Sequence, residues 1–337
     1  MSDLVSVVIP NYNGGKTIGK CLEAVYASDY GNFEVIVVDD GSVDNSLEVI
    51  TGFPCQLIRL ERHAGAAKAR NTGARQASGD ILFFTDADCL LLRDTLSHAV
   101  EAVSAAGANV VAGGTYTPIP YDNRFFSRFQ SVFINYSETR RPADPDYIAT
   151  HALAIPAQGF RDQQGFAEEA LPILEDVEFS HRLRRAGYRL RMQPAMQVRH
   201  IFGYSLYGSL RNAVRKSMYW TVYSIRNRDL LRDSGTASIE LKVNVMAWFL
   251  SLLLIAAVML GGHFTMLVLV AALTLSNLFI SRRLLRAFYR AAGPGFALAA
   301  TLYYVLLYPL AVGLGAFAGA LVQLGPGQRR TQPSEAQ

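Results

Sequence analysis

The sequence predicts an α/β domain, a mostly parallel sheet with helices on both faces, followed by C-terminal transmembrane helices. Three observations carry that prediction. Short apolar runs alternate with helical stretches through the N-terminal part of the 337 residues. Several of those runs end in Asn or Asp. The final third of the chain is apolar and almost free of acids.

Residues 5–10 read as a buried strand that breaks into Asn11-Tyr12-Asn13-Gly14-Gly15, and residues 17–26 as a helix. A second strand, 33–38, ends at Asp39-Asp40-Gly41-Ser42, and Asp44 or Asn45 caps a helix reaching Ile50. Residues 56–60 form a third strand, 64–77 an Ala- and Arg-rich helix, and 81–84 a fourth strand ending at Asp86-Ala87-Asp88. Strands and helices alternating at this spacing indicate a parallel, helix-flanked sheet. Residues 110–116 read as another strand, 177–186 as a helix closed by Gly187, and 189–198 as an extended stretch before His200.

The carboxyl ends of such strands are where open α/β sheets bind ligands. Asn11, Asp39-Asp40 and Asp86/Asp88 all fall on that rim. In an extended segment Asp86 and Asp88 share a face, and two same-facing carboxylates suit a hard cation such as Mg2+ or Mn2+. Taken alone, the triplet reads more readily as an Asp-rich turn capping the next helix. Neither a G-x-G-x-x-G turn nor a G-x-x-x-x-G-K-[ST] loop is present, so a metal held by acids is the natural substitute for phosphate-binding amides. Asp39 or Asp40 is suited to accept from a base N–H or a ribose hydroxyl. Glu175 and Asp176 open a helix, where carboxylates also serve simply as favourable dipole partners.

Charge divides the chain. From Leu241 onward there are seven basic residues and one acid, against totals of 32 and 28, so the preceding part is slightly acidic. That excludes a basic nucleic-acid surface there. Cys21, Cys55 and Cys89 show neither metal-ligand spacing nor a disulfide framework, and point to a reducing compartment. The apolar runs 243–260, 264–280 and 296–324 read as three membrane spans, each near or above the roughly 20 residues needed. The arginines at 282–290 read as cytoplasmic. Before them, residues 204–231 mix Tyr, Trp, Arg and Lys, as in a helix lying at a membrane interface or an ordinary solvated helix with a core stripe. The expected division is a catalytic domain at 1–202, an amphipathic linker at 203–241, three spans within 242–324 and a polar tail at 325–337. The expected location is multi-pass in the cell's inner (cytoplasmic) membrane, with the N-terminal domain in the cytoplasm.

The ordered set Val7-Val8-Ile9-Pro10-Asn11-Tyr12-Asn13, Val38-Asp39-Asp40-Gly41-Ser42, Ala69-Arg70-Asn71-x-Gly73, Asp86-x-Asp88 and Glu175-Asp176 resembles the family 2 glycosyltransferases of the GT-A fold. The resemblance covers roughly residues 4–200 and implies a nucleotide-sugar donor. It implies that Pro10, Asn11, Tyr12, Asp39 and Asp40 line the nucleotide, with Asp39 on the base. Arg70 would flank the nucleotide, and Asp86 would lie near the ribose and diphosphate. Asp88, with Asp86 and His200, would hold a divalent metal, Mg2+ or Mn2+, and Asp176 would be the catalytic base of an inverting single displacement. The Q-x-x-R-W motif of the family's processive synthases is absent from 206–225, which favours transfer of one sugar. The apolar tail points to a lipid-linked or membrane-held acceptor. The alternative is a catalytically inactive nucleotide-sugar-binding membrane scaffold, which need not keep both Asp88 and Asp176.

Overall fold

The computed structural model describes residues 3–324 apart from 106, 108 and 169–171; the predicted polar tail, 325–337, and Glu169 lie outside the described residues. The chain divides into two units, Met1–Gly203 and Tyr204–Gln337.

In the first unit, β1 (Val5–Asn11), α1 (Ile18–Tyr26), β2 (Phe33–Asp39), α2 (Ser46–Thr51), β3 (Gln56–Arg59), α3 (Ala66–Gln76) and β4 (Ile81–Phe84) follow the alternation expected from sequence. Their strands pair in parallel in the order β3-β2-β1-β4. Continuous apolar runs such as Ile81-Leu82-Phe83-Phe84 suit strands covered on both faces, and all four of these side chains are buried. Gly73 lets α3 settle against β1, because a Cβ there would lie 2.5 Å from Val8 Cγ1.

Beyond β4 the sheet is mixed rather than uniformly parallel. The elements are β5 (Cys89–Leu91), α4 (Thr95–Ser104), β6 (Val110–Tyr116), α5 (Phe125–Thr139), β7 (Leu153–Pro156), α6 (Ala157–Asp162), α7 (Glu175–Arg185) and β8 (Arg189–His200). The eight-stranded order is β3-β2-β1-β4-β7-β6-β8-β5. β7 runs antiparallel to both β4 and β6, β8 is parallel to β6, and β5 is antiparallel to β8. This arrangement gathers one rim: the ends of β1, β2, β4, β6 and β8 and the starts of β5 and β7 all reach it. Helix α7 starts at Glu175, two residues before the predicted start, which puts Glu175 and Asp176 in its first turn.

The second unit contains α8 (Leu206–Asn227), α9 (Ile239–Met259), α10 (Met266–Ile280), α11 (Arg282–Leu302), a π-helical turn at Tyr303–Leu307 and α12 (Tyr308–Leu324). α11 is interrupted at Ala292 and Gly293, just before Pro294. Ile239–Met259 and the run Arg282–Gln323 are long and apolar enough to cross a membrane. α10 has 15 residues, short of the roughly 20 an upright span needs. α8 is a packed helix: Gly315 and Gly319 of α12 face the carbonyls of Val214 and Met218, 2.3 and 2.4 Å from where a Cβ would lie. A polar chain joins the apolar helices, with Asn277 Nδ2 donating to Asn244 Oδ1 at 2.7 Å and Asn244 Nδ2 to the Tyr304 carbonyl at 2.7 Å.

Candidate active site

On the rim of the first unit lies a cleft of about 400 Å3, lined by Pro10, Asn11, Tyr12, Asp40, Arg70, Asp86, Asp88 and His200 among others. The strand ends expected to converge do so. Asp39 is fully buried behind the cleft and is not among its lining residues. Its carboxylate accepts from Asn11 Nδ2 at 2.9 Å and from the Ser42 backbone N–H at 3.0 Å. Asp40 accepts from the Ala64 and Gly65 amides at 2.7 and 2.8 Å, with His63 Nδ1 2.8 Å away. The pair thus braces the loop 62–65 and positions His63, whose ring stacks on Tyr12 at 3.9 Å between centroids. Gly41, at φ +77, makes this possible, since a Cβ would stand 2.9 Å from the His63 nitrogen. Tyr12 and His63 form a half-exposed aromatic shelf in the lining of the cleft.

Arg70 lines the same cleft and is held there by two acids of its own chain. Its guanidinium is buried and forks between two acids, Nη2 to Asp86 Oδ1 and Nη1 to Glu175 Oε1, each at 2.6 Å. The Phe166 ring supports it, 5.9 Å from the guanidinium carbon. Phe166 belongs to a cluster with Phe84, Phe160 and Phe179. Asn71 pins the same turn, accepting from the Phe166 N–H at 2.9 Å and donating to its carbonyl at 2.8 Å. The Arg-Asn pair of α3 therefore ties the end of β4 to the turn before α7 and to α7's first residue. Asp176 comes directly after Glu175, its Oδ1 2.9 Å from the Val177 N–H.

Asp88 and His200 meet where β5 pairs with β8, with Oδ1 and Nε2 3.4 Å apart. The His200 ring is held by Phe202, stacked at 3.9 Å, and by the edge of Tyr116. Burial alone would raise the Asp86 pKa, but Arg70 outweighs it and holds this carboxyl below its usual range. Burial, and then the charge of Asp86, push Asp88 up to about 7. A carboxylate strained by a like charge, beside an imidazole nitrogen at this distance, fits a divalent cation. Cys89 Sγ completes a group whose ligand atoms all lie within 4.8 Å. Burial drives that thiol well above its ordinary pKa, so it stays protonated and packed, as its apolar surroundings require.

Sequence reasoning did not find His63, His151 or Glu138. His151 is buried beside the end of β4, where its carbonyl accepts from Thr85 Oγ1 at 2.9 Å. Its ring stacks on Tyr116 at 4.0 Å, and Nε2 lies 3.4 Å from Glu138 Oε2. Burial lowers its pKa, but Glu138, then Asp86 and Asp176, raise it on balance. No local motif announces this pair; only the antiparallel return of β7 brings it to the rim.

Residues 6–161 match the family described as Glycosyl transferase family 2. The first unit is a family 2 glycosyltransferase domain. The chain is similar to AglE of Haloferax volcanii, 33% identical over 193 residues, 55% of this chain and 63% of AglE. It is also similar to the UDP-Glc:alpha-D-GlcNAc-diphosphoundecaprenol beta-1,3-glucosyltransferase WfgD of Escherichia coli, 38% identical over 101 residues, 29% of this chain and 40% of WfgD. It thus spans less than two thirds of either relative. In fold it resembles the mannosyltransferase PcManGT of Pyrobaculum calidifontis, solved with GDP-Man and Mn2+, with a TM-score of 0.56 at 20% identity over 96% of this chain and 88% of that one. The mixed sheet of the first unit is accordingly the GT-A fold.

Proposed function

We propose that the chain is a metal-dependent, inverting glycosyltransferase that moves one sugar from a nucleotide-sugar donor to a lipid-linked or membrane-held acceptor in envelope glycan or glycolipid synthesis. One observation carries this reading: a single cleft is lined both by the stacked Tyr12–His63 shelf and by the Asp86, Asp88 and His200 cluster. The shelf suits a nucleobase and the cluster a diphosphate with its cation. WfgD's diphosphoundecaprenol-linked acceptor and PcManGT's GDP-Man and Mn2+ support the donor and acceptor classes.

Asp88, Asp86 and His200 would hold the divalent ion, Mg2+ or Mn2+, which would offset charge on the departing diphosphate. The Arg70 fork keeps Asp86 ionised and aimed, and through Glu175 fixes the first turn of α7. Asp176, on that turn, takes the proton of the acceptor hydroxyl as its oxygen bonds to the anomeric carbon and the carbon–diphosphate bond breaks. The tail's apolar helices hold the domain at the cytoplasmic face of the inner membrane, beside a lipid acceptor.

The test is a panel of nucleotide sugars with Mn2+ or Mg2+ and native membranes as acceptor source, run on the wild type and on Asp176→Asn. Donor binding should survive in the variant while turnover falls by about 100-fold or more. Unchanged turnover rules out Asp176 as base; donor binding without product on any lipid acceptor leaves the scaffold reading.

A further inference from the structure

Taking the membrane location proposed above as given, we infer that α12 does not cross the bilayer. It lies in the plane of the cytoplasmic leaflet, and the membrane is crossed twice, by α9 and by the 17-residue apolar run 264–280 that contains α10 and just reaches the length of a short span. This replaces the three crossings expected from hydropathy.

The position of the two ends of α12 decides it. At its start, the Tyr304 carbonyl accepts from Asn244, five residues into α9 and so about 7.5 Å along that helix. At its end, Gln323 Oε1 accepts from Arg226 Nε at 3.2 Å. Arg226 is six residues from Arg232, whose carbonyl accepts from Lys242 in the first turn of α9. Six residues reach at most about 20 Å fully extended. Here the chain is far from extended: Arg228 adopts a left-handed conformation, and Asp229 N–H turns back to the Ser224 carbonyl. Both ends of α12 therefore lie near the first two turns of α9. A spanning α12 would carry Gln323 some 28 Å along its axis from Tyr304, to the opposite face.

The charges agree. α8 and α12 run side by side in the same direction, since Val214 faces Gly315, Met218 faces Gly319 and Arg226 reaches Gln323. Arg211, Arg215 and Lys216 on α8 are exposed. A crossing α12 would hold these cations beside its midpoint in hydrocarbon, where each is strongly disfavoured. In the interface plane they meet lipid phosphates instead. The outer face of α12 and of the turn that leads into it presents Leu306, Leu310, Leu314, Phe317 and Leu321, each between 38 and 64% exposed and spaced to share one side. That is the pattern of a helix seated in a leaflet, with an anionic bilayer surface as its partner.

The test uses the full chain in bilayers of phosphatidylglycerol and phosphatidylethanolamine, in a Cys55→Ser background, since Cys21 and Cys89 are buried. Spin labels at Leu306→Cys, Leu314→Cys and Leu321→Cys report depth by oxygen and nickel accessibility. Leu253→Cys on the exposed face of α9 is the control. We expect the three α12 labels at one shallow depth and Leu253 near the bilayer centre. A depth difference of about 20 Å between positions 306 and 321 overturns the inference, since 15 helical residues span that distance. A water-exposed Leu253 label would sink the membrane reading itself. A fusion after Gln337 gives an independent readout: fluorescence of green fluorescent protein with inactive alkaline phosphatase is expected, and active phosphatase overturns it.

Discussion

Replacing Arg70 with methionine leaves Asp86 and Glu175 facing each other without their shared cation. The guanidinium is 4% exposed and Glu175 13%, while Asp86 keeps 31% of its side-chain surface in contact with solvent. Breaking a buried ion pair by removing one partner costs about 3–5 kcal/mol. Water reaches Asp86, so the lower end applies, about 3 kcal/mol. For a unit of 150–250 residues each kcal/mol moves Tm by about 2–4 °C, giving a fall of about 6–12 °C. The assay is thermal unfolding of the detergent-solubilised full chain, monitored by near-UV circular dichroism. Adding Glu175→Gln to the variant should recover part of the loss, because one stranded charge is removed. Arg70→Lys should fall between, since a single ammonium cannot fork to two carboxylates. A fall below about 2 °C for Arg70→Met refutes the brace.

Asp88→Ala should abolish Mn2+ binding measured by calorimetry; full retention of metal affinity would remove Asp88 from the ligand set. Asp88 titrates near 7 in the metal-free protein, above its ordinary 3.8, so its stabilising contribution is present below pH 4 and lost as pH rises through 7. A bound cation reverses that loss, and the Tm gain from Mn2+ should be larger at pH 8 than at pH 6; an equal gain contradicts the assignment. Gly315→Leu drives a side chain into the Val214 carbonyl and should destabilise the second unit by about 1–3 kcal/mol, read as earlier loss of helical signal on heating. Tyr12→Ala should raise the donor KM with little change in kcat, because a ring that only stacks on the base contributes equally to ground and transition states.

Local chemistry made much of this protein legible. The runs 81–84 and 110–116 appear as strands with the bounds read from sequence, because unbroken buried strands leave an uninterrupted apolar signature. Phe125, Phe129 and Phe133 recur at helical spacing, and in α5 both Phe129 and Phe133 are buried, so this aromatic stretch packs. Asn11 at the end of β1 and the acids after β2 and β4 share a rim because parallel pairing fixes which ends coincide. The sheet's second half was not legible: β7 is a four-residue run, and nothing in Leu153-Ala154-Ile155-Pro156 specifies that it enters antiparallel between β4 and β6. Arg70 escaped for a related reason. Its partners lie 16 and 105 residues away, and only the closed fold shows that it binds two acids of its own chain. In the tail, hydropathy read 296–324 as one run, where the structure has the end of α11, a π-helical turn and α12, and it carried no information on direction, on which the contacts Asn244–Tyr304 and Arg226–Gln323 bear.

The π-helical turn at Tyr303–Leu307 bears on how this tail tolerates insertions and deletions. A π turn holds one residue more than an α turn, so it absorbs an insertion without rotating the helix beyond it. Removing one residue from this turn should restore regular α geometry, keeping Gly315 and Gly319 against α8 while releasing the Tyr304 carbonyl that Asn244 now captures. Removing a residue between Tyr308 and Gly315 has no such slack. It would turn the rest of α12 by about 100°, swinging the glycines off α8 and rotating the exposed leucine stripe with them.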